Sequence, residues 1–400
     1  MKIIPKESKI KSIKGGICAV EGVKAAGIKK GKHGLALITG GGSAACVCTK
    51  NQFKSASLLV TKKHLKADKV CNAVIVNSGC ANAFTGDDGI HNAKEVCKLV
   101  ANHLNIPDET VLIASTGVIG TKLDMKIILR EFNQIKEKLN SSPEASRAVA
   151  EAIMTTDTYP KEVAVEIKGL DSFRIGGVAK GAGMIAPDMA TMLAFIYTDA
   201  IFDHKTLQSA LKEAVDRSFN MVVVDGDMST NDMVLLVSTE KKSGIESEEF
   251  QKGLNYVCEN LAKMIASDGE GATKLIEVVI KGAATKKDAN KAVKAILKSP
   301  LVKTAIFGAD PNWGRIACAI GYSGAKVRED HLRIELSAAG SKVCILNKGS
   351  AIDASELAAK ILQEKKVMII ADLGSGGEEA KGWGCDLSYE YVRINAEYTS

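Results

Sequence analysis

Segments with the pattern of β-strands alternate with segments of helical periodicity along all 400 residues, and few fold classes accommodate that order. Apolar runs rich in β-branched residues, such as Val70–Val76 and Val367–Ala371, have the length of buried strands. Helical periodicity is clearest in longer stretches such as Met125–Leu139 and Ser247–Ser267. The alternation therefore predicts an α/β or α+β protein.

The same patterns locate the other elements. Strands are also predicted at Leu35–Thr39, Leu58–Thr61, Val111–Ala114, Val163–Lys168, Thr191–Thr198, Met233–Thr239, Leu275–Lys281, Val302–Phe307, His331–Leu336, Val343–Asn347 and Tyr389–Tyr398. Helices are also predicted at Gly89–Leu104, His204–Arg217 and Lys286–Leu297, and from Pro143 to near Met154. No internal repeat or low-complexity linker divides the chain.

Composition argues against several classes of protein. Apolar residues make up 46% of the chain, which is enough to offset the entropy lost on folding. No apolar run approaches the ~18–20 residues that a membrane span needs. Most of the 53 basic residues are scattered lysines, and aromatic residues are only 4%, which is atypical of a nucleic-acid groove. The lysine-rich N-terminus does not resemble a secretory signal, so we expect a cytoplasmic protein with no nucleic-acid or membrane partner.

Neither the cysteines nor the acidic residues form a convincing metal site. Cys46 and Cys48 lie near Cys71 and Cys80 in the sequence but lack paired C-x-x-C spacing, so we expect reduced thiols. The acidic segment Asp225–Asp232 lacks the glycine and glutamate that a calcium loop requires at its sixth and twelfth positions. A hydrogen-bonded turn is the preferred interpretation of its aspartates, and no metal is expected.

The strongest local anomaly is the segment Gly176–Phe195, which combines glycines with a single lysine. Such a loop suggests phosphate binding, but the P-loop spacing is absent. The dinucleotide pattern fails as well, because Ala186 stands three residues after Gly183. The segment therefore supports nucleotide binding only weakly.

A second interpretation concerns Thr191, where this segment enters a β-rich run. A threonine hydroxyl is a poor nucleophile unless a base stands beside it. Cutting the Ala190–Thr191 bond would expose an α-amino group, with an ordinary pKa of ~7.7–8.0, that can take the hydroxyl proton. The glycines and proline upstream permit the strained backbone that such a self-cleavage needs. On composition alone, an ordinary glycine-rich turn before a core strand remains the alternative.

Six stretches together carry a resemblance to a known family. They are Ser115–Gly120, Met154–Thr158, Lys180–Leu193, Asp225–Asp232, Asp268–Lys274 and Phe307–Arg315. In this order they resemble the motifs of the ornithine acetyltransferase family, the monofunctional or bifunctional glutamate N-acetyltransferases of arginine biosynthesis. The match runs from about residue 10 to the C-terminus. Any one motif is weak, but the collinear set is specific.

The resemblance implies roles for four residues. Thr191 would be the nucleophile and, after cleavage at Ala190–Thr191, the first residue of a second fragment. Thr116 and Gly117 would form the oxyanion hole, which suits a loop that follows the predicted strand Val111–Ala114. Without the family, a plain strand-to-helix turn would be the better interpretation of these two residues.

The resemblance also assigns substrate binding. The matching positions are Thr155, Lys180, Thr191, Glu270, Asn395 and Ser400. Lys180 would pair with a substrate carboxylate, and Glu270 would receive the side-chain ammonium of ornithine. The C-terminal residues would have to fold back onto the site, whereas chain ends usually fray.

The implied fold is an α/β sandwich of the self-processing N-terminal-nucleophile type. The implied fragments, 1–190 and 191–400, would stay associated in an α₂β₂ heterotetramer. The implied reaction moves the acetyl group of N2-acetylornithine to glutamate without metal or organic cofactor, and acetyl-CoA would be a second donor only in a bifunctional member. A related aminopeptidase-type hydrolase and a non-enzymatic amino-acid-binding protein remain alternatives.

Overall fold

A computed structural model describes residues 9–168, 171–185 and 192–397 of the chain. The predicted residues Ala190, Thr191 and Ser400 lie outside the described residues, and so does the predicted boundary between fragments 1–190 and 191–400. The candidate residues Thr116, Gly117, Thr155, Lys180, Glu270 and Asn395 are all described.

The described residues alternate between strands and helices, as the sequence predicts. The strands are β1 (Lys9–Ile13), β2 (Lys24–Lys30), β3 (His33–Cys48), β4 (Val70–Cys80), β5 (Val111–Val118), β6 (Lys161–Lys168), β7 (Ser172–Lys180), β8 (Leu193–Ala200), β9 (Val222–Val223), β10 (Met233–Lys242), β11 (Leu275–Ala283), β12 (Arg333–Ala338), β13 (Ser341–Asn347), β14 (Ser350–Ala351), β15 (Lys366–Asp372) and β16 (Glu378–Cys385). The helices are α1 (Ala56–Ala67), α2 (Gly86–Leu104), α3 (Met125–Ile135), α4 (Pro143–Ala152), α5 (His204–Arg217), α6 (Ser247–Ser267), α7 (Lys286–Lys298), α8 (Pro300–Phe307), α9 (Trp313–Tyr322), α10 (Ser355–Leu362) and α11 (Tyr389–Glu397).

Nine of the described strands form one mixed sheet in the order β1-β6-β7-β8-β10-β3-β4-β5, with β2 paired to β3. The long strand β3 joins the two parts of this sheet, because its first half pairs with β2 and β4 and its second half pairs with β10. The β4–β5 and β8–β10 pairs are parallel. Since β8 and β10 lie between β7 and β3, both predicted fragments contribute strands to the same sheet.

A smaller sheet contains seven described strands in the order β14-β13-β12-β15-β11-β16-β9. Helix α6 lies between the two sheets, since it packs on β6 and β7 on one side and on β16 on the other. Its Phe250, Leu254 and Leu261 are fully buried in an apolar cluster that also includes side chains of both sheets. The α/β fold expected from the sequence is confirmed.

Three predicted strands are wrong, because each segment is a helix. Leu58–Thr61 lies inside α1, whose first turn is capped by the Ser55 hydroxyl accepting from the Leu58 N–H. Val302–Phe307 lies in α8, which starts with Pro300 after a capping serine. Short apolar runs do not distinguish a strand from a buried helix, and the cap residues decided the outcome here.

The third incorrect strand is Tyr389–Tyr398, since the chain forms helix α11 over Tyr389–Glu397. Val392 and Tyr389 are 64% and 84% exposed, so their alternation with polar residues does not mark a sheet face. Helix α9 begins after Asn312, whose side chain accepts from the Arg315 N–H. Trp313, the first residue of α9, is 37% exposed.

No helix in the described part of the chain is long and apolar enough to cross a membrane.

Candidate active site

Lys180, the last residue of β7, is a buried ammonium group with few partners. Its Nζ donates to Thr116 Oγ1 at 3.3 Å, and among the described residues it makes no other hydrogen bond and no ion pair. Burial lowers the pKa of Lys180, and the negative charge of Asp157 opposes that effect. A buried ammonium with unused N–H donors is costly unless an anion from outside completes its shell.

Thr116 and Gly117 lie at the carboxyl end of β5, where β5 runs parallel to β4. Gly117 has φ +134°, and a Cβ at this position would lie 2.3 Å from the Gly79 carbonyl carbon. Only glycine therefore fits this close approach of two parallel strands. The preceding Ser115 carbonyl accepts from Asn231 Nδ2 at 2.7 Å, which fixes the strand end in place.

Asp157 is a buried carboxylate that gathers several donors. Its Oδ1 accepts from Lys161 Nζ and from the Gly181 N–H, each at 2.6 Å, and its Oδ2 accepts from the Thr155 N–H at 3.0 Å. Burial alone would raise the pKa of Asp157, but the Lys180 and Lys161 ammonium groups and the Gly181 N–H outweigh it and lower the pKa to about 2. Asp157 therefore connects the turn at Thr155 to the loop that follows Lys180.

Lys161, the first residue of β6, is fully buried between two carboxylates. Its Nζ lies 2.5 Å from Asp268 Oδ2 in addition to its contact with Asp157. Asp268 ends α6 and also accepts from the N–H and the hydroxyl of Thr158. The buried group thus ties α6 to the segment that carries Thr155.

Glu270 follows two residues after Asp268 and lies against the glycine-rich loop. Its N–H donates to the Ala182 carbonyl at 2.9 Å, and a Cβ at Gly183 would lie 2.3 Å from its carboxyl carbon. Asn395 of α11 donates from Nδ2 to Glu270 Oε2 at 2.9 Å. Helix α11 therefore places Asn395 against this carboxylate.

The acidic segment after β9 supports the same loop. Asp225 accepts from the Met184 and Ile185 N–H groups at 2.6 Å and 2.7 Å and from the Asp227 N–H at 3.3 Å. Burial raises the pKa of Asp225. Among the described residues, no group of three or more histidine, cysteine, aspartate or glutamate side chains is arranged to hold a metal ion.

Asp232 is a buried acidic residue that contacts Met192, the first described residue after position 191. Its Oδ1 accepts from the Met192 N–H at 3.1 Å, and burial raises its pKa well above the usual range. Within the described part of the chain, its Oδ2 has no hydrogen-bond partner. This carboxyl group therefore holds the residue that follows position 191.

The structure brings most of the described candidate residues into one network. Lys180 contacts Thr116 directly, and Asp157 joins the backbone of Thr155 to the residue after Lys180. Glu270 contacts Asn395 and is joined to the glycine-rich loop through Ala182. Ala190, Thr191 and Ser400 lie outside the described residues.

Several residues that build this network carry no functional signal in the sequence. Asp157 and Asp268 lie within the family motifs, but Lys161 and Lys29 do not. Lys29 donates from Nζ to the Met154 carbonyl at 2.5 Å and to Ser78 Oγ at 2.9 Å, which holds the turn before Thr155 against β4. Composition gives no signal for these lysines, because only the folded chain brings them to their partners.

The family model described as ArgJ matches residues 20–400 of the chain. The glutamate N-acetyltransferase of Methanosarcina acetivorans is 52% identical over 398 residues, which are 98% of this chain and 100% of that protein. The arginine biosynthesis bifunctional protein ArgJ of Archaeoglobus fulgidus is 45% identical over 96% of this chain and 100% of that protein.

A solved structure of the arginine biosynthesis bifunctional protein argJ from Bacillus halodurans is 46% identical, with a TM-score of 0.49, and covers 51% of this chain and 98% of that chain. The family expected from the six motifs is confirmed by the family model and the full-length relatives, and so is the expected class of enzyme, an acyltransferase. The chain therefore belongs to the ArgJ family.

Proposed function

We propose that the chain transfers the acetyl group of N2-acetyl-L-ornithine to L-glutamate, giving L-ornithine and N-acetyl-L-glutamate. The observation that carries this proposal is the buried Lys180 ammonium, whose one hydrogen bond within the described residues goes to Thr116. Both substrates have an α-carboxylate that can complete the shell of this ammonium. Names of full-length relatives support glutamate as the acceptor.

The opposite charge on Glu270 fits the donor. Glu270 lies across the glycine-rich loop from Lys180 and is held there by Asn395 and Ala182. Ornithine carries an ammonium at the far end of its side chain, so Lys180 and Glu270 can bind its two ends. We assign Thr155 and Ser400 to the same substrate site, as the family resemblance implies.

In the first half of the proposed reaction, the Thr191 hydroxyl attacks the acetyl carbonyl of N2-acetylornithine. The Thr191 α-amino group takes the hydroxyl proton and passes it to the ornithine nitrogen as the amide C–N bond breaks. The Thr116 hydroxyl and the Gly117 N–H donate to the carbonyl oxygen while it carries negative charge. Ornithine leaves, and an acetyl ester remains on Thr191.

In the second half, the amino group of glutamate attacks the ester carbonyl. The new C–N bond forms, the ester C–O bond breaks, and the proton released by the amine returns to the Thr191 oxygen. Because both substrates use one site in turn, ping-pong kinetics are expected.

This mechanism requires a free α-amine at position 191, so we propose that the chain cleaves itself at Ala190–Thr191. The Thr191 hydroxyl attacks the Ala190 carbonyl, the peptide C–N bond breaks to leave an ester and a free amine, and water hydrolyses the ester. Fragments 1–190 and 191–400 share the larger sheet, because β8 and β10 lie between β7 and β3, which favours their remaining together. An α₂β₂ heterotetramer in the cytoplasm is part of this proposal.

The proposed transfer uses no metal or organic cofactor, since the donor is already an acetylated amine. Acetyl-CoA as a second acetyl donor is a further proposal, supported by the name of the Archaeoglobus fulgidus relative as a bifunctional protein.

The test supplies N2-acetylornithine to the purified protein with and without glutamate. We expect N-acetylglutamate and ornithine to form together only when glutamate is present, and an acetyl adduct to accumulate when it is absent. Continuous release of free acetate, with or without glutamate, would instead identify a hydrolase.

A further inference from the structure

Lys161 is the residue whose role goes beyond this proposal. We infer that Lys161 is a positioning residue that occupies Asp157 and thereby keeps the Lys180 ammonium available for the substrate carboxylate. The inference deepens the proposed function, and it rests on Lys180 binding that carboxylate.

The Asp157 carboxylate is already occupied by other donors. Lys161 Nζ and the Gly181 N–H both donate to its Oδ1, while the Thr155 N–H donates to Oδ2. These three donors take three of the roughly four acceptor positions of the Asp157 carboxylate, and Lys161 is the charged one among them. Lys180 Nζ forms no ion pair with it, and its hydrogen bond within the described residues goes to Thr116.

The position of Lys161 also matters. Its side chain is fully enclosed and bridges Asp157 and Asp268, with Nζ also 4.9 Å from the centre of the Tyr159 ring. It has no access to a substrate, so it does not act on one directly. It acts through the two carboxylates, one of which holds the residue after Lys180 and the other the α6 end before Glu270.

Lys161 also acts on Lys180 electrostatically. The positive charge of Lys161 disfavours the protonated form of Lys180, while Asp157 favours it. The charged groups that act on Lys180 come from several elements; they are Asp157, Lys161, Asp232, Glu270 and Lys29. Removing Lys161 leaves Asp157 without the ammonium that contacts it directly, so the attraction between Asp157 and Lys180 is then no longer shared.

The experiment compares the wild-type enzyme with Lys161→Met in acetyl transfer. We expect the KM for N2-acetylornithine and for glutamate to rise about tenfold, with a smaller change in kcat, because an internal carboxylate now competes with the substrate carboxylate. Binding also fails as pH rises through the pKa of Lys180. We therefore expect the alkaline limb of 1/KM to move to higher pH in the variant, since loss of Lys161 favours the protonated form. The amine of the substrate titrates alike in both enzymes, so the difference reports the protein.

In a second variant, the alkaline limb of 1/KM is expected to move in the opposite direction. Asp268→Asn removes a negative charge and leaves that of Lys161 less balanced, so we expect the alkaline limb to move to lower pH. This variant also keeps the test open if Lys161→Met does not fold. Lys303→Met is the control, because Lys303 is another buried lysine, bonded to the Val224 carbonyl at 2.6 Å. It is expected to lower stability without moving the limb.

The outcomes separate this inference from the proposed function. A wild-type protein without acetyl transfer would refute the proposed function. An active wild-type enzyme whose Lys161 and Asp268 variants keep its KM values and its alkaline limb would refute the positioning role and leave the proposed function standing. A loss of stability and kcat alone in Lys161→Met would assign Lys161 to folding only and would also overturn the inference.

Discussion

The surroundings of Lys161 and of Lys180 differ in how a buried charge is satisfied. Lys161 is 0% exposed and lies within 2.6 Å of two carboxylates. Lys180 is 2% exposed, and its described hydrogen bond is one contact of 3.3 Å with the hydroxyl of Thr116. The two lysines begin β6 and end β7, and these strands pair antiparallel, so the contrast arises within one hairpin.

This contrast teaches how to interpret a buried charge. A fully paired buried ion stabilises local geometry, and removing one partner is costly because the others remain buried. A buried ion with unused donors indicates a binding site, because a ligand that binds there can offset the free-energy cost of burying the charge. We therefore propose that the Lys180 region binds the substrate and that the Lys161 region holds its geometry.

The largest effect is expected at Thr191, the proposed nucleophile. Thr191→Ala removes both the nucleophile and the self-cleavage, so we expect a single uncut chain and a loss of activity of at least about 10⁴-fold. Thr191→Ser keeps a hydroxyl and is the matched control, which should still be cut. The measurement is intact mass together with the acetyl-transfer rate, and complete cleavage of Thr191→Ala would contradict the assignment.

The second expected effect separates the two lysines directly. Lys180→Met should lower kcat/KM by about 10²–10³-fold through the loss of a charge-assisted contact, while stability stays the same or rises. Lys161→Met should lower the free energy of unfolding by about 3–5 kcal/mol, because it removes the ammonium that two buried carboxylates share. Denaturant unfolding and steady-state kinetics of both variants check this. Equal losses of stability in Lys180→Met and Lys161→Met would contradict the proposal that only Lys161 has a structural role.

The third expected effect tests the neighbour of Lys180. Thr116→Val keeps the shape of the side chain but removes the hydroxyl, so we expect kcat to fall about 10²-fold from the loss of one oxyanion donor. Thr116→Ser restores the hydroxyl and should recover most of the rate. If valine supports the wild-type kcat, Thr116 has no part in the oxyanion hole.

The smallest expected effect concerns the paired region and acid. The pKa of Asp157 is lowered to about 2 from an ordinary value of 3.8, so its ionised form stabilises the folded chain above the ordinary value. That contribution, about 2 kcal/mol, should be lost as pH falls from about 4 to 2. Unfolding experiments across this range on the wild type and Asp157→Asn should show a weaker pH dependence in the variant. The same slope in both proteins would contradict the lowered pKa.

The sequence predicted much of the fold because its strongest patterns are local. The helices at Ser247–Ser267 and His204–Arg217 were predicted at the bounds that α6 and α5 have. The failures are short apolar runs next to capping residues, such as Leu58–Thr61 after Ser55. The strand predicted over α11 is wrong for a different reason, because this helix is exposed and little of its sequence pattern reflects burial.

The residues of the candidate site also differ in whether a local sequence pattern marks them. Lys180 and Glu270 are predicted site residues because they stand in contiguous motifs, and the structure joins them through the glycine-rich loop. The Lys161–Asp268 contact joins residues 107 positions apart, and no local pattern announces such a pair. Three-dimensional contact was needed to recognise the support of the site.

The central claim is that the chain works as two fragments with a free threonine amine at the start of the second. Intact mass of the purified, active enzyme before and after addition of N2-acetylornithine tests it most directly. The account predicts two species, which begin at Met1 and Thr191, and a gain of one acetyl group by the second alone. A fully active preparation that contains only the uncut 42.3 kDa chain would contradict it.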